Sequence, residues 1–469
     1  MRCDLAVLGG GNGGYAAALR GAQLGLSVAL IEQSKVGGTC LHMGCVPTKA
    51  LLHVADLLES FRGAERFGVR GGAPELDWPK ALGYKDSVVS KHYRGLQGLI
   101  KSRDVNLVEG RGQLFSPGAI EVEGSELVEA PAIVLATGSY AKSLPFIEID
   151  QGAFITSDDA LSLDAVPSSV AVIGAGAVGL EFASAFAAYG SEVTIIEALP
   201  RLAPGEDGDV SKELERQFKK RGIKAFTGAK VAKAERSPSG AVLYLETSDG
   251  KSQTLEAEKC LVAVGRGPVS DGLRYEDAGV KLDRGFVVTD GDCRTGVDGV
   301  WAVGDLITQP MLGLPFPHFQ LAHVAFGEGI HVAEQAAGKG GSGPVSYLGV
   351  PRATYSSPEI ASVGLTEAQA TEAGYEVEVD RRSWAAFAKA SILGETSGFV
   401  KVVAEKGGAV LGVHMIGPRV TELIAEAQLV TNWEAFPSEV APLIHPHPTL
   451  SEALGESMLS LAGKPLHGS

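Results

Sequence analysis

Apolar and polar positions near the start of the chain follow two different patterns. Residues 4–8 and 27–32 are short, almost continuously apolar runs, which indicate buried strands, while residues 15–24 are rich in alanine and leucine and predict a helix. A glycine-rich loop over residues 9–14 joins the first strand to this helix. The order of strand, glycine loop, helix and strand predicts a βαβ unit.

The same order returns further along the chain, as a strand over 169–173, a glycine loop over 174–179, a helix over 180–189 and a strand over 192–197. Glycines occupy the first, third and sixth positions of each loop, and a glutamate closes each second strand. The two sets are Gly9, Gly11, Gly14, Glu32 and Gly174, Gly176, Gly179, Glu197. Two dinucleotide-binding sites are therefore predicted.

The spacing of these glycines has a physical reason. The first allows a tight turn, the second lets the backbone approach a pyrophosphate, and the third lets the helix pack on the strand. The phosphates then lie at a helix N-terminus, where free amides point, and the glutamate accepts hydrogen bonds from ribose hydroxyls. A carboxylate at Glu197 would repel a 2′-phosphate, so we expect NAD, although Arg201 nearby leaves NADP as an alternative.

Later segments predict further domains. Residues 134–139 and 299–305 are predicted to be strands that end in glycine turns and return to the first nucleotide domain. From about residue 347 the pattern changes to strands over 398–403 and 410–415, followed by a helix over 422–433. This change predicts a separate C-terminal α+β domain.

Composition narrows the class of protein. The 469 residues carry a formal net charge of −15 and the pI is about 5.2, which argues against nonspecific binding to nucleic acid or to an anionic membrane surface. No apolar run approaches the roughly 18 residues of a membrane span. The N-terminal apolar stretch has neither a basic start nor a small-residue cleavage site, so we expect no signal peptide and a cytoplasmic location.

Two of the five cysteines, Cys40 and Cys45, lie close together, directly after the first predicted βαβ unit. Five residues apart, they are able to meet across a distorted helical turn and form a disulfide that opens and closes. The alternatives are two buried cysteines or part of a zinc site, but zinc prefers four ligands and no second cysteine pair is present. We therefore expect a redox-active pair and no metal.

The other candidate chemistry lies near the C-terminus, in the segment HPHPTLSE that begins at His445. A histidine accepts a proton from a thiol near neutral pH, and a carboxylate such as Glu452 would orient the ring. Alone, the two histidines are more typical of a loop or of an adventitious metal site. Together with the cysteine pair they favour catalysis.

Six motifs together resemble the pyridine nucleotide-disulfide oxidoreductases: the first glycine loop, GGTCLHMGCVPTK, GAGAVGLE, the AVGD turn ending at Asp305, YSSPEIASVGLTE and HPHPTLSE. The resemblance runs from Asp4 to about Leu461. Glu197, the cysteine segment and the TLSE ending are most similar to the branch that oxidises dihydrolipoyl groups with NAD. Other disulfide reductases, quinone reductases or transhydrogenases, and a non-catalytic nucleotide-binding subunit are the alternatives.

The resemblance implies an α/β fold with two Rossmann-like domains, one binding FAD and one NAD, and a C-terminal α+β dimerisation domain. The expected boundaries are 1–145 for the first part of the FAD domain, 146–270 for the NAD domain, 271–345 for the return to the FAD domain and 346–469 for the dimerisation domain. The two cofactors are expected to contact Gly9, Gly11, Gly14, Glu32, Gly38, Thr39, Lys49, Thr137, Gly138, Gly174, Gly176, Gly179, Glu181, Glu197, Gly265, Asp305 and Ala322.

The resemblance also implies a division of roles. Cys40 would exchange with the dithiol substrate, and Cys45 would pass electrons to FAD. His447, oriented by Glu452, would be the base and would reach the disulfide of the other subunit, which makes the protein an obligate homodimer. Lys49 and Glu181 would pair near the flavin.

A lipoyl-bearing partner is expected, either an acyltransferase of a 2-oxo acid dehydrogenase or a glycine-cleavage carrier protein. The first predicted strand begins at Asp4, so we expect no lipoyl-bearing domain ahead of it. Two departures from the family pattern stand out. Asn12 replaces the usual proline or alanine, and an extra segment, residues 313–320, is expected either near the flavin, where it would alter substrate access, or as an enlarged surface loop.

Overall fold

The computed structural model describes residues 1–124, 127–308, 318–341 and 343–467. The chain divides into two units. The first contains Met1–Ala50, Leu82–Lys142 and Gly265–Tyr347, and the second contains Leu51–Ala81, Ser143–Val264 and the chain from Leu348 onward. Most of the expected extra segment, residues 313–317, lies outside the described residues.

A five-stranded parallel sheet forms the centre of the first unit. Its strands are, in spatial order, Val300–Ala302, Ala132–Leu135, Leu5–Leu8, Val28–Glu32 and Asn106–Glu109. The strand Leu5–Leu8 is buried throughout and pairs in register with its neighbours, Leu5 opposite Val28 and Ala132. Burial on both faces explains its continuous apolar sequence.

Smaller sheets and helices complete this unit. The antiparallel strands are Gly112–Ser116, Ala119–Val122 and Val128–Glu129, and Ser139–Ala141 with Arg266–Pro268. A mixed sheet contains Leu282–Asp283, Phe286–Val288 and Ile307–Thr308. The helices are Asn12–Gln23, Gly38–His42, the start of Cys45–Arg62, most of Trp78–Ser102, the short Gly304–Leu306, and Ala322–Ala336.

The second unit contains a second parallel sheet of five strands, Lys224–Thr227, Glu192–Glu197, Ser169–Ile173, Lys259–Val262 and Phe154–Ile155. Lys230–Ser237, Gly240–Glu246 and Ser252–Ala257 form an antiparallel sheet, as do Arg352–Thr354, Glu359–Gly364, Val410–Gly417, Phe399–Glu405 and Val377–Ser383. The helices here include the rest of Cys45–Arg62, followed by Ala64–Phe67, Ser157–Ala160, Ala177–Tyr189, Gly208–Lys220, Glu367–Glu372, Trp384–Ala386, Ala388–Leu393, Val420–Asn432, Pro437–Val440 and Glu452–Leu461.

Both predicted βαβ units are present, with small differences at the helix ends. The helices begin at Asn12 and Ala177, three residues before the predicted starts, because the fourth position of each glycine loop already belongs to the helix. The predicted strands after residue 397 are observed as Phe399–Glu405 and Val410–Gly417, and the predicted helix as Val420–Asn432. In the part of the chain that the structure describes, every helix is too short or too polar to cross a membrane.

Candidate functional site

The first glycine loop, residues 9–14, has the shape that a dinucleotide requires. A Cβ atom on Gly14 would lie 1.8 Å from the Gly9 carbonyl oxygen, so the helix packs this closely on the loop only because Gly14 has no side chain. A Cβ on Gly11 would meet no atom within 4 Å, so the backbone faces open space at the start of the helix. The Glu32 carboxylate accepts hydrogen bonds from Gly10 N (2.7 Å) and Ser34 N (2.8 Å).

The second glycine loop, residues 174–179, repeats this geometry. A Cβ on Gly179 would lie 2.0 Å from the Gly174 carbonyl oxygen, and Gly176 faces open space. The Glu197 carboxylate accepts from Ala175 N and Leu199 N, both at 2.7 Å. The open backbone beside a helix N-terminus and a held carboxylate fit the pyrophosphate and ribose of a dinucleotide in both loops.

Arg201 is held by the backbone near the second loop. Its guanidinium donates to the carbonyl oxygens of Pro204 (2.9 Å) and Glu206 (3.0 Å). One nitrogen of the guanidinium is therefore already bonded to the backbone that follows Arg201. These bonds favour the expectation of NAD over the alternative in which Arg201 receives a 2′-phosphate.

The cysteine segment, residues 37–49, is folded against the first glycine loop. Gly37 N donates to Gly10 O (2.8 Å), and a Cβ on Gly38 would lie 2.7 Å from Gly11 Cα. The helix Gly38–His42 ends before Gly44, and a new helix begins at Cys45. A Cβ added at Gly44 would lie 3.3 Å from Cys40 Cα. This interrupted turn brings the two cysteines together, as the five-residue spacing predicts.

Both cysteines are thiols in this structure. Hydrogen bonding to Cys45 and then burial raise the pKa of the Cys40 thiol well above its usual value, while a hydrogen bond with Asn12 and the charge of Lys49 act in the opposite direction. Burial and then the charge of the Cys40 sulfur raise the pKa of the Tyr15 hydroxyl to about 12. The pair is therefore in contact, and both cysteines are half-buried.

Arg266 connects several of the residues expected to bind a cofactor. Its guanidinium donates to the hydroxyl and carbonyl oxygens of Ser139 (2.7 and 2.8 Å) and lies 3.4 Å from Thr39 Oγ1. Ser139 in turn donates to Asp305 Oδ2 (2.6 Å). Thr39 and Asp305 are thereby gathered around Arg266, which the sequence analysis did not select.

Four other expected residues of the first unit, Thr137, Gly138, Gly265 and Ala322, lie in ordered backbone. Thr137 donates to Val269 O (2.6 Å), and Gly138 O accepts from Val269 N (2.9 Å). Gly265 O accepts from Lys142 N (3.0 Å), and Ala322 begins the helix Ala322–Ala336.

A buried carboxylate, Glu328, supports the turn that carries Asp305. It is 0% exposed and accepts from Gly304 N (2.6 Å) and Tyr347 Oη (2.6 Å), and His318 Nε2 lies 2.7 Å from it. Sequence reasoning missed this residue, since nothing in its local pattern separates it from an ordinary helix-surface glutamate.

The described end of the extra segment, residues 318–320, lies against these residues and is partly buried. The His318 side chain is buried beside Glu328, and Gln320 Nε2 donates to Asp305 O (3.2 Å). For these three residues the contacts favour a position beside the Asp305 turn over an enlarged surface loop.

The C-terminal histidines have different partners. His445 Nε2 lies 2.7 Å from Glu426 Oε1, and this hydrogen bond raises the pKa of His445. His447 Nδ1 lies 2.8 Å from Glu452 Oε1, and Thr449 N donates to the other oxygen at 2.8 Å. Burial opposes ionisation of Glu452, but these two hydrogen bonds prevail and lower its pKa.

This arrangement leaves His447 available for chemistry. Its side chain is 73% exposed and its Nε2 side faces away from the carboxylate, whereas the His445 side chain is 12% exposed. A histidine with one nitrogen held by an ionised carboxylate has its ring oriented for proton transfer at the other. Glu181 is buried and accepts from Tyr355 N (3.0 Å), and its expected pairing with Lys49 stays a prediction.

Two dinucleotide loops, a dithiol beside one of them, and a histidine–carboxylate pair define a disulfide oxidoreductase. The chain belongs to the pyridine nucleotide-disulphide oxidoreductases, because that family's model matches residues 3–329 and the model of its dimerisation domain matches residues 350–458. The predicted family and fold class are confirmed, with FAD and NAD as the cofactors of this class.

Individual relatives agree with this assignment. A protein named dihydrolipoyl dehydrogenase from Bacillus subtilis is 40% identical over 99% of both chains. One of the same name from Thermus scotoductus is 41% identical over 99% of this chain and 98% of its own. The crystal structure of LpdA from Mycobacterium tuberculosis superimposes with a TM-score of 0.88 at 28% identity, covering 98% of this chain and 99% of that one.

Proposed function

We propose that the chain is an FAD-dependent dihydrolipoyl dehydrogenase, which oxidises a protein-bound dihydrolipoyl group to its disulfide and reduces NAD⁺. The observation that carries this proposal is the contact between Cys40 and Cys45 in a segment folded onto the first glycine loop. Full-length similarity to proteins of that name, at about 40% identity, supports the substrate.

The roles of the site residues are part of the proposal. A substrate thiolate attacks Cys40 of the Cys40–Cys45 disulfide and displaces Cys45 as a thiolate. The second substrate thiol then loses its proton to His447 and attacks the mixed disulfide, which releases the oxidised substrate and leaves Cys40 as a thiolate. The bound flavin supplies a two-electron carrier between the dithiol and the nicotinamide. Glu452 holds the His447 ring through Nδ1 during the proton transfer.

The dimerisation domain supports a homodimer. The finer proposal is that His447 acts on the disulfide of the partner subunit, so that a monomer lacks a complete site. A lipoyl-bearing acyltransferase or a glycine-cleavage carrier protein would deliver the substrate, and we propose that this takes place in the cytoplasm.

A rapid-mixing experiment tests the function. The holoenzyme is mixed anaerobically with dihydrolipoamide and then with NAD⁺ or NADP⁺, and the visible absorbance of the flavin is followed. We expect rapid loss of the oxidised flavin spectrum with dihydrolipoamide and its rapid return with NAD⁺ but not with NADP⁺. Reduction by NADH or NADPH together with no response to dihydrolipoamide would reject the substrate and favour another disulfide reductase.

Two variants connect this reaction to the cysteine pair. Cys45→Ser is expected to retain its flavin and to lose the response to dihydrolipoamide, because the disulfide no longer forms. Cys3→Ser removes a half-buried thiol two residues before the first strand and is the matched control. A normal response in Cys45→Ser would show that the dithiol does not carry the electrons.

A further inference from the structure

The peptide group between Val36 and Gly37 connects the first glycine loop to a side chain of the cysteine segment. Its N–H donates to Gly10 O (2.8 Å), and its carbonyl oxygen lies 2.9 Å from His42 Nε2. A carbonyl oxygen has no hydrogen to give, so Nε2 of the ring is the donor in this bond. Val36 itself is buried. The His42 ring is therefore bonded to a part of the backbone that the glycine loop already holds.

His42 is the last residue of the helix Gly38–His42, which carries Cys40. An isolated helix shorter than about 12–15 residues is marginal in water, so a helix of five residues depends on contacts outside itself. The His42 ring makes two such contacts. Besides the bond to Val36 O, it packs edge-on against the Tyr93 ring, with the ring centroids 5.1 Å apart and the planes at 76°. These contacts fix the end of the helix that lies between the two cysteines.

The position of this helix bears on how easily the disulfide forms. Cys40 lies two residues before His42, and Cys45 begins the next helix three residues after it. Two thiols that are held close together have a high effective concentration for each other, and this favours the disulfide over the dithiol. If the short helix were released, the reduced segment would gain conformational freedom that the bridged segment does not have.

We propose that His42 is a positioning residue for the redox pair, whose Nε2–H bond to Val36 O holds the short helix in place and so favours the Cys40–Cys45 disulfide over the dithiol. This inference rests on the proposed function, in which that disulfide opens and closes in each turnover. On closing, the two sulfurs join and the thiols lose two electrons and two protons. The electron pair and one proton end on NADH, and the second proton is released.

The midpoint potential of the cysteine pair is the quantity to measure. The holoenzyme is equilibrated anaerobically in mixtures of reduced and oxidised dithiothreitol, which supply or accept the two electrons and two protons. Free thiols are then trapped with a maleimide, and the reduced fraction of the peptide that contains both cysteines is measured by mass spectrometry. In His42→Ala we expect the equilibrium constant for disulfide formation to fall roughly fivefold, the effect of one hydrogen bond. This fall moves the midpoint potential by about 20 mV to less negative values.

Further variants separate the hydrogen bond from the packing of the ring. His42→Phe keeps an aromatic ring against Tyr93 but has no N–H, so it should shift the potential as His42→Ala does. His42→Gln loses the ring but has an amide donor at about the same distance from its Cα as Nε2, so it should restore most of the parent potential. His92→Ala is the matched control, because His92 is an exposed histidine directly before Tyr93, and it should leave the potential unchanged.

Two results would overturn the inference. One is a parent-like potential in both His42→Ala and His42→Phe, even if these variants unfold at a lower temperature, since that would assign His42 a structural role only. The other is a parent-like potential in His42→Phe with a shifted potential in His42→Gln, which would assign the effect to the ring contact with Tyr93. The titration uses no dihydrolipoamide. A parent protein that forms no Cys40–Cys45 disulfide would reject the proposed function as well, whereas unshifted variants of a parent that forms it reject this inference alone.

Discussion

Replacing Glu328 tests how the protein holds the turn that carries Asp305. The Glu328→Ala variant removes the acceptor of two buried donors, Gly304 N and Tyr347 Oη, and the partner of the buried His318 ring. A buried donor that loses its acceptor costs about 1–3 kcal/mol. Relaxation of the site and water that enters it reduce the summed cost. We therefore expect the free energy of unfolding to fall by about 3–5 kcal/mol, the range found when a buried pair loses one partner.

This loss is large compared with the stability of a domain, which is about 5–15 kcal/mol. One kcal/mol shifts the midpoint of thermal unfolding by roughly 2–4 °C in a domain of this size, so the expected decrease is roughly 6–20 °C. Because Gly304 precedes Asp305, we also expect flavin to be released earlier in the transition.

The assay is thermal unfolding of the holoenzyme, followed by tryptophan fluorescence and by the fluorescence of released flavin. Glu328→Gln keeps the volume and one carbonyl acceptor, so it should lie between the parent and the alanine variant. Glu129→Ala breaks an exposed ion pair with Arg2 in the same unit and is the control that should change little. The reasoning is refuted if Glu328→Ala retains its flavin and unfolds within about 2 °C of the parent, since the shift expected from the buried hydrogen bonds is larger.

Two further predictions concern ionised groups. Glu452→Gln should lower kcat about tenfold, because the His447 ring loses its charged partner. This is less than the roughly 10²–10⁴-fold that a positioned general base supplies. Steady-state kinetics of this variant and of His447→Gln measure both losses, and equal losses would contradict a purely orienting role for Glu452. Lys401→Met removes the ammonium that bonds both oxygens of buried Asp207 (3.0 and 3.1 Å). Burial opposes ionisation of Asp207, but its hydrogen bonds and the charge of Lys401 lower its pKa. The stabilisation is therefore present above the unfolded pKa of about 4 and is lost as the pH falls through the lower folded pKa. In urea unfolding, the free energy of unfolding of the variant should therefore lie furthest below that of the parent near neutral pH, and this difference should shrink below about pH 4. A difference that does not depend on pH would reject an ionic origin of the stabilisation.

The sequence by itself determined the features that depend on short segments of chain. The geometry of each glycine loop is predicted by six consecutive residues, because a Cβ at Gly14 or Gly179 would overlap the backbone of its own loop. The five-residue spacing of Cys40 and Cys45 likewise requires only one distorted turn, and the structure contains it. Helix starts were predicted three residues late, because the apolar pattern reports burial and not the first hydrogen-bonded turn.

Only the tertiary structure decided the contacts between distant segments. Arg266 joins Thr39 to Ser139, and Glu328 holds Gly304, although no local pattern marks either residue. The first glycine loop and the cysteine segment meet through backbone contacts, Gly37 N with Gly10 O and Gly38 with Gly11, which exist only in the folded chain. Apolar periodicity and glycine spacing are local properties of the chain, whereas the partner of a buried polar group is chosen by how the segments pack, so these residues were not predictable from the sequence.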